Sequence, residues 1–206
     1  MLHNLTVNEA TFVIIDLETT GLSASNNSVI EVAAIKYQSG MIIDQLHHLT
    51  KPRENFIPSK VINLTGITNA MVIDKPYFED IYPEVYNFLK DSIVVAHNAK
   101  FDISFLSEVH KIVFKNNLRL HYICTDNLAR RIFPEIQKKS LSSLTNYLGI
   151  NFKQKHRALS DAQATLQAFQ TMLEYLQDYN INKVLEIIKL AEGKKINRKN
   201  KRKRYV

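Results

Sequence analysis

Two carboxylates, Asp16 and Glu18, stand two residues apart in the run Phe12-Val13-Ile14-Ile15-Asp16-Leu17-Glu18-Thr19-Thr20-Gly21-Leu22. The run starts apolar and β-branched, the pattern of a strand buried on both faces. Side chains two apart on a strand share a face, so two negative charges lie side by side at the edge of a core. Bare carboxylates are costly to bury. The pair therefore asks for a cation, or else sits at a solvated strand end. Gly21 lets the backbone turn sharply or approach a ligand closely. Three more ionisable residues complete a chemical set. Asp102 falls in the first turn of a helix that follows a short strand ending at Ala96, and Asp161 opens another helix. His156 precedes Asp161 by five residues; on one helix they would be about 140° apart, so His156 belongs on the preceding loop. Singly, the two aspartates read as acids complementing helix N-termini, and His156 as an exposed histidine. Jointly, four carboxylates and one imidazole suit hard cations, Mg²⁺ or Mn²⁺, and not zinc. Two such ions about 3.5–4 Å apart can flank a phosphate and stabilise both the attacking and the leaving oxygen. A histidine can take the proton of an attacking water near neutral pH. This is chemistry for cleaving a phosphodiester.

The elements that must position these residues follow from periodicity and turn residues. Val29–Tyr37 and Met41–Leu49 read as strands joined at Ser39-Gly40 in a hairpin. Short helices are expected over Ser59–Leu64 and from Asn69. Phe78–Leu89 carries apolar residues at 78, 81, 82, 85, 88 and 89, a helical period. Ser92–Ala96 is a short buried strand, followed by a helix with Phe105, Leu106 and Val109 on one face. Leu120–Ile123 reads as a fifth strand. Further helices are expected over Thr125–Ile132, Ser140–Tyr147 (stopped by Gly149), Ser160–Tyr179 and Ile181–Ala191. Ser160 and Gln163 match a capping box. This order predicts an α/β sandwich on a mixed sheet.

Bulk properties set limits. The 206 residues, 45% hydrophobic, suit one folded domain with an appendage: residues 1–178 as the domain, 179–193 as a C-terminal helix, 194–206 as a basic tail expected to be disordered. A single cysteine, Cys124, excludes an internal disulfide framework and a cysteine-rich metal site, and reads as a small buried hydrophobe. The first ten residues have no apolar signal core and no apolar run reaches membrane-spanning length, so a soluble, cytoplasmic protein is expected. The chain has 27 Lys and Arg against 20 acidic residues. Eight of those cations lie in residues 194–206, which contain no acid, so the rest is nearly neutral at 19 basic to 20 acidic. Such a tail favours polyanions, or simply solubilises the chain.

Asp16-x-Glu18-Thr-Thr-Gly-Leu, His97-Asn98-Ala99-x-Phe101-Asp102 and His156-Arg-Ala-x-x-Asp161-Ala162 resemble, in order, the three motifs of the DEDDh 3′-to-5′ exonucleases. These are the proofreading, DnaQ-like members of the ribonuclease H-like superfamily. Any one motif is weak; three in order, over roughly Thr11 to Leu176, are specific. The resemblance implies a ribonuclease H-like fold with a mixed five-stranded sheet flanked by helices. It implies that Asp16, Glu18, Asp102 and Asp161 hold two divalent metals, with Asp16 shared, and that His156 is the general base. Thr19, Thr20, Gly21 and Leu22 would line the pocket for the terminal nucleotide, by backbone as much as by side chain. Thr65-Gly66-Ile67 matches a family segment that packs near the terminal base. His97 and Asn98 read as supporting residues, with Asn98 kept among the substrate-contacting candidates. Glu31 also fits the family pattern, without a catalytic role. The runs Ile30–Lys36 and Leu64–Thr68 look like the exonuclease section of PolC-type polymerases, so a free-standing exonuclease or an epsilon-type polymerase subunit is expected. The implied substrate is a single-stranded DNA 3′ end. The alternatives are an RNA-directed relative, which carries the same five residues, and a non-catalytic polymerase-associated binding module.

Overall fold

The computed structural model describes residues 2–138, 140–152 and 154–196. Five strands, β1 (Thr11–Thr19), β2 (Val29–Gln38), β3 (Met41–Leu49), β4 (Ile93–Ala96) and β5 (His121–Cys124), form one sheet in the order β3-β2-β1-β4-β5. β1 pairs with β2, and β2 with β3, antiparallel; β1–β4 and β4–β5 are parallel. Ser39 and Gly40 take positive φ, 50° and 85°, and close the β2–β3 hairpin. The mixed five-stranded sheet is the one expected.

The central strand separates two cores. Phe12 and Ile14 of β1 face one layer, and Val13, Ile15 and Leu17 face the other. Helices α3 (Phe78–Leu89) and α4 (Lys100–Phe114) cover the second face. On the first face lie α5 (Thr125–Ile132), α6 (Leu141–Tyr147), α7 (Ala158–Asp178) and α8 (Val184–Ala191). The ring of Phe169 in α7 meets Phe12 edge-on at 5.1 Å, locking the long helix to the central strand. A small third core of Ile30, Ile57, Ile67 and Val72 seats the short helices α1 (Ser59–Thr65) and α2 (Asn69–Val72). No helix among the described residues is long and apolar enough to cross a membrane.

Two helix starts differ from expectation. α7 begins at Ala158, with Arg157 as its cap, so Ser160 lies inside the first turn and not at the cap. The start is set from across the sheet: the Ala158 amide donates to the buried Glu31 carboxylate at 2.9 Å. α8 begins at Val184 and not at Ile181 because the intervening backbone is already committed. Asn180 takes φ 57° and Ile181 donates back to Leu176, ending α7, while Asn182 accepts from Val7. The apolar face of α8 (Val184, Ile187, Ile188, Ala191) is buried in the first core. It is an integral part of the fold. The tail from residue 197 onward lies outside the described residues.

Candidate active site

Because β1 and β4 run parallel, their carboxyl ends lie at one edge of the sheet, where open α/β folds bind ligands. Asp16 and Glu18 occupy the end of β1, on the same face as Phe12 and Ile14, the face covered by α7. Both are half-buried. Beyond β4 the chain turns through Asn98 at φ 58°, a left-handed position that asparagine tolerates well. It then enters α4, whose first turn carries Asp102. Asp102 is only 3% exposed and accepts the Leu17 amide at 3.2 Å, which ties α4 to β1 between the two β1 acids. The first turn of α7 carries Asp161. His156 sits exposed on the loop before that helix, at φ 60°. One polar atom each from Glu18, His156 and Asp161 lies within 4.8 Å of the others. The five residues expected to act together are thus assembled at one edge.

The electrostatics are those of acids crowded together in a buried place. Burial raises the Asp16 carboxyl well above the usual carboxylate range, and Asp102, Asp161, Glu18 and Glu31 push it further. Glu18 is raised to about 8, by burial and then by Asp161, Glu31 and Asp102, with Arg157 opposing. Asp102 is raised to about 8 by burial, against the backbone amide at Leu17. Asp161 is raised to about 6 by burial, against the amides of His156 and Arg157. One oxygen of Asp161 is buried without a hydrogen-bond partner. Such an orphan is rare in folded proteins. An oxygen-rich donor set with an unspent buried acceptor fits a divalent cation. Among the described residues, Glu18, His156 and Asp161 bring ligand atoms close enough to hold one, with Asp16 and Asp102 buried beside them.

The expected nucleotide-contacting residues divide. Leu22 stands 88% exposed in the loop after β1. Thr19 and Thr20 are buried, and their hydroxyls serve the protein: Thr19 donates to the Gly21 carbonyl at 2.7 Å and Thr20 to Glu54 at 3.0 Å. Glu54 also accepts from Ser28 at 2.5 Å, so it braces both ends of the β1–β2 loop. A Cβ on Gly21 would meet the Asn27 amide group at 2.7 Å; that amide oxygen accepts from Ser23. Gly66 ends α1 in a left-handed conformation, donating to Ile62. The Thr65 hydroxyl accepts from Ile67, whose side chain is wholly enclosed. With the whole residue buried and its amide donating to Thr65, Ile67 supports this segment from within the third core. Asn98 is exposed, four residues before Asp102.

Glu31, Arg157 and Glu54 are polar residues that sequence reasoning left without a task. An acid inside the apolar run Val29–Ile35 was a visible signal, since a buried carboxylate needs partners. Arg157 adjoins His156 and was readable on the same ground. For Glu54, between Pro52 and Pro58, nothing in the sequence pointed to the site.

The family model for the RNase_T exonucleases matches residues 13–169. The chain is 37% identical over 187 residues to the DNA polymerase III subunit epsilon of Aquifex aeolicus, covering 90% of this chain and 92% of that protein. It is 40% identical to the PolC-type DNA polymerase III of Thermotoga maritima, of which it spans only 14%. A solved structure of exonuclease X in complex with 5′-overhanging duplex DNA superposes with a TM-score of 0.68 at 29% identity, over 87% of this chain and 99% of that one. Exonuclease I, at 20% identity over 82% of this chain and 43% of its own, shares the fold with a TM-score of 0.71. The fold is ribonuclease H-like. The family match runs from inside β1 to the middle of α7 and takes in every one of the five converging residues, and by it the chain belongs to the exonuclease family.

Proposed function

We propose that this exonuclease removes nucleotides one at a time from the 3′ ends of single-stranded DNA, releasing nucleoside 5′-monophosphates. The carrying observation is the convergence of Asp16, Glu18, Asp102, Asp161 and His156 at the carboxyl end of β1. Two divalent cations, Mg²⁺ or Mn²⁺, would be held by the four carboxylates and would stabilise the attacking and leaving oxygens of the phosphodiester. His156 accepts the proton of the attacking water. The new bond joins the water oxygen to phosphorus, and the bond from phosphorus to the 3′ oxygen of the preceding nucleotide breaks. The exposed Leu22 and the backbone of Thr19–Gly21 receive the terminal nucleotide. Their hydroxyl braces to Gly21 and Glu54 hold that loop in shape before substrate arrives.

DNA as substrate, a proofreading or repair role in the cytoplasm and a replicative polymerase as partner are supported by the epsilon-subunit relative and by the DNA in the exonuclease X complex. Residues 194–206 add a basic arm for the nucleic acid backbone. A degradation assay on 5′-labelled DNA and RNA of matched sequence, with paired and mismatched 3′ ends, tests the substrate. Faster shortening of DNA is expected, with mismatched ends preferred. Preference for RNA would show that the site admits the 2′-OH and would reassign the substrate.

A further inference from the structure

Glu31 is an acid of this face that the proposed chemistry leaves unused. It lies opposite Glu18 in the β1–β2 ladder and is fully buried. Its partners come from two directions. His47 of β3 approaches at 2.8 Å. From the other side, the Arg157 guanidinium donates through Nε, at 3.2 and 3.1 Å to the two carboxylate oxygens, and through a terminal nitrogen at 2.8 Å. The Ala158 amide adds a bond at 2.9 Å. These partners hold the carboxyl of Glu31 below the usual range despite its burial, so it is the settled anion among neighbours that resist ionisation. Arg157 and Ala158 directly follow His156, whose left-handed backbone a non-glycine residue keeps only when its surroundings hold it. A planar guanidinium fork on a carboxylate fixes orientation as well as distance.

We propose that Glu31 and Arg157 are positioning residues for His156: their ion pair, anchored on β2, fixes the turn that aims the imidazole at the Glu18 and Asp161 carboxylates. The inference rests on the reading of His156 as the proton acceptor. It gives Arg157 a task distinct from binding phosphate, although its side chain is about one-third exposed.

The test is a double-mutant cycle in single-turnover hydrolysis of labelled DNA, with Mn²⁺ affinity and circular dichroism as checks on site and fold. Arg157→Leu is expected to lower the chemical rate by up to about 10²-fold through misplacement of the base, with KM held within about twofold. In a His156→Ala background the same substitution is expected to cost less than about twofold, because the group it positions is gone. Glu31→Gln keeps the shape but loses the charge and one of the two acceptor oxygens; it is expected to show a smaller loss that also vanishes in the His156→Ala background. This variant carries the test if Arg157→Leu does not fold. Equal losses in both backgrounds, or a loss confined to KM, would overturn the inference alone, the latter making Arg157 a phosphate contact. Wild-type turnover by His156→Ala itself would remove the base assignment and the inference together.

Discussion

Asp16, Glu18, Asp102 and Asp161 all hold protons more tightly than carboxyls in an unfolded chain, and that strain is a measurable property of the metal-free protein. Unfolded carboxyls ionise near about pH 4. Groups whose folded pKa is raised favour the folded state most below that pH. The advantage is lost as pH climbs through about 6 for Asp161 and about 8 for Glu18 and Asp102. In chelator, the melting temperature should therefore fall across this range, and Mg²⁺ or Mn²⁺ should restore it more at the alkaline end than at the acid end. A flat profile, or equal rescue throughout, would disconnect the cluster from metal binding. Asp16→Asn should raise metal-free stability while abolishing activity, since it removes repulsion together with a ligand. His156→Ala should lower the turnover rate by about 10²–10⁴-fold, the usual share of a general base, with metal affinity retained by calorimetry. The four carboxylates were conspicuous in the sequence through a buried strand and two helix starts, whereas His156, exposed on a loop, was legible only as part of its motif. The sequence did not disclose the ion pair beside them, because the partnership of Glu31 with Arg157 spans 126 positions.

At the scale of elements, α7 carries the greatest burden: it supplies Asp161, receives the anchor at Ala158 and is locked to β1 through Phe169. Phe169→Ala is expected to cost about 3–5 kcal/mol, read from denaturant unfolding, and to lower activity in step as the helix loses its seat against β1. A change below about 1 kcal/mol would mean that the packing is not what holds α7 on the strand. The β1–β2 loop is the second positioning element. Gly21→Ala should displace Asn27 from Ser23 and raise KM more than it lowers kcat, because the loop and not the carboxylate cluster is disturbed. Periodicity was enough to find the strands and most of the helices, since alternation and the 3.6-residue repeat are local. The two helix starts it misplaced, at Ala158 and Val184, are set by bonds to Glu31 and to residues 5–7, far away in sequence.

For the whole molecule, charge is divided between a nearly neutral body and a basic terminus. Deleting residues 194–206 is expected to weaken binding of single-stranded DNA and to flatten its salt dependence, by about 0.7 in log–log slope for each phosphate that the tail neutralises. An unchanged slope would deny the tail that role. The sheet order, the two cores and the convergent edge form one arrangement in which β1, α4 (reached from the parallel end of β4) and α7 deliver their acids to one place. The central claim is that this place is a metal-dependent site for hydrolysing DNA from its 3′ end. The most direct measurement follows 5′-labelled single-stranded DNA with wild-type protein and Asp16→Ala, in Mg²⁺ or Mn²⁺ and in chelator, with the released product identified. Stepwise shortening from the 3′ end by the wild type is predicted, with nucleoside 5′-monophosphate as product, arrest by chelator and no shortening by Asp16→Ala. Wild-type rates from Asp16→Ala, or degradation that ignores the chelator, would contradict the claim.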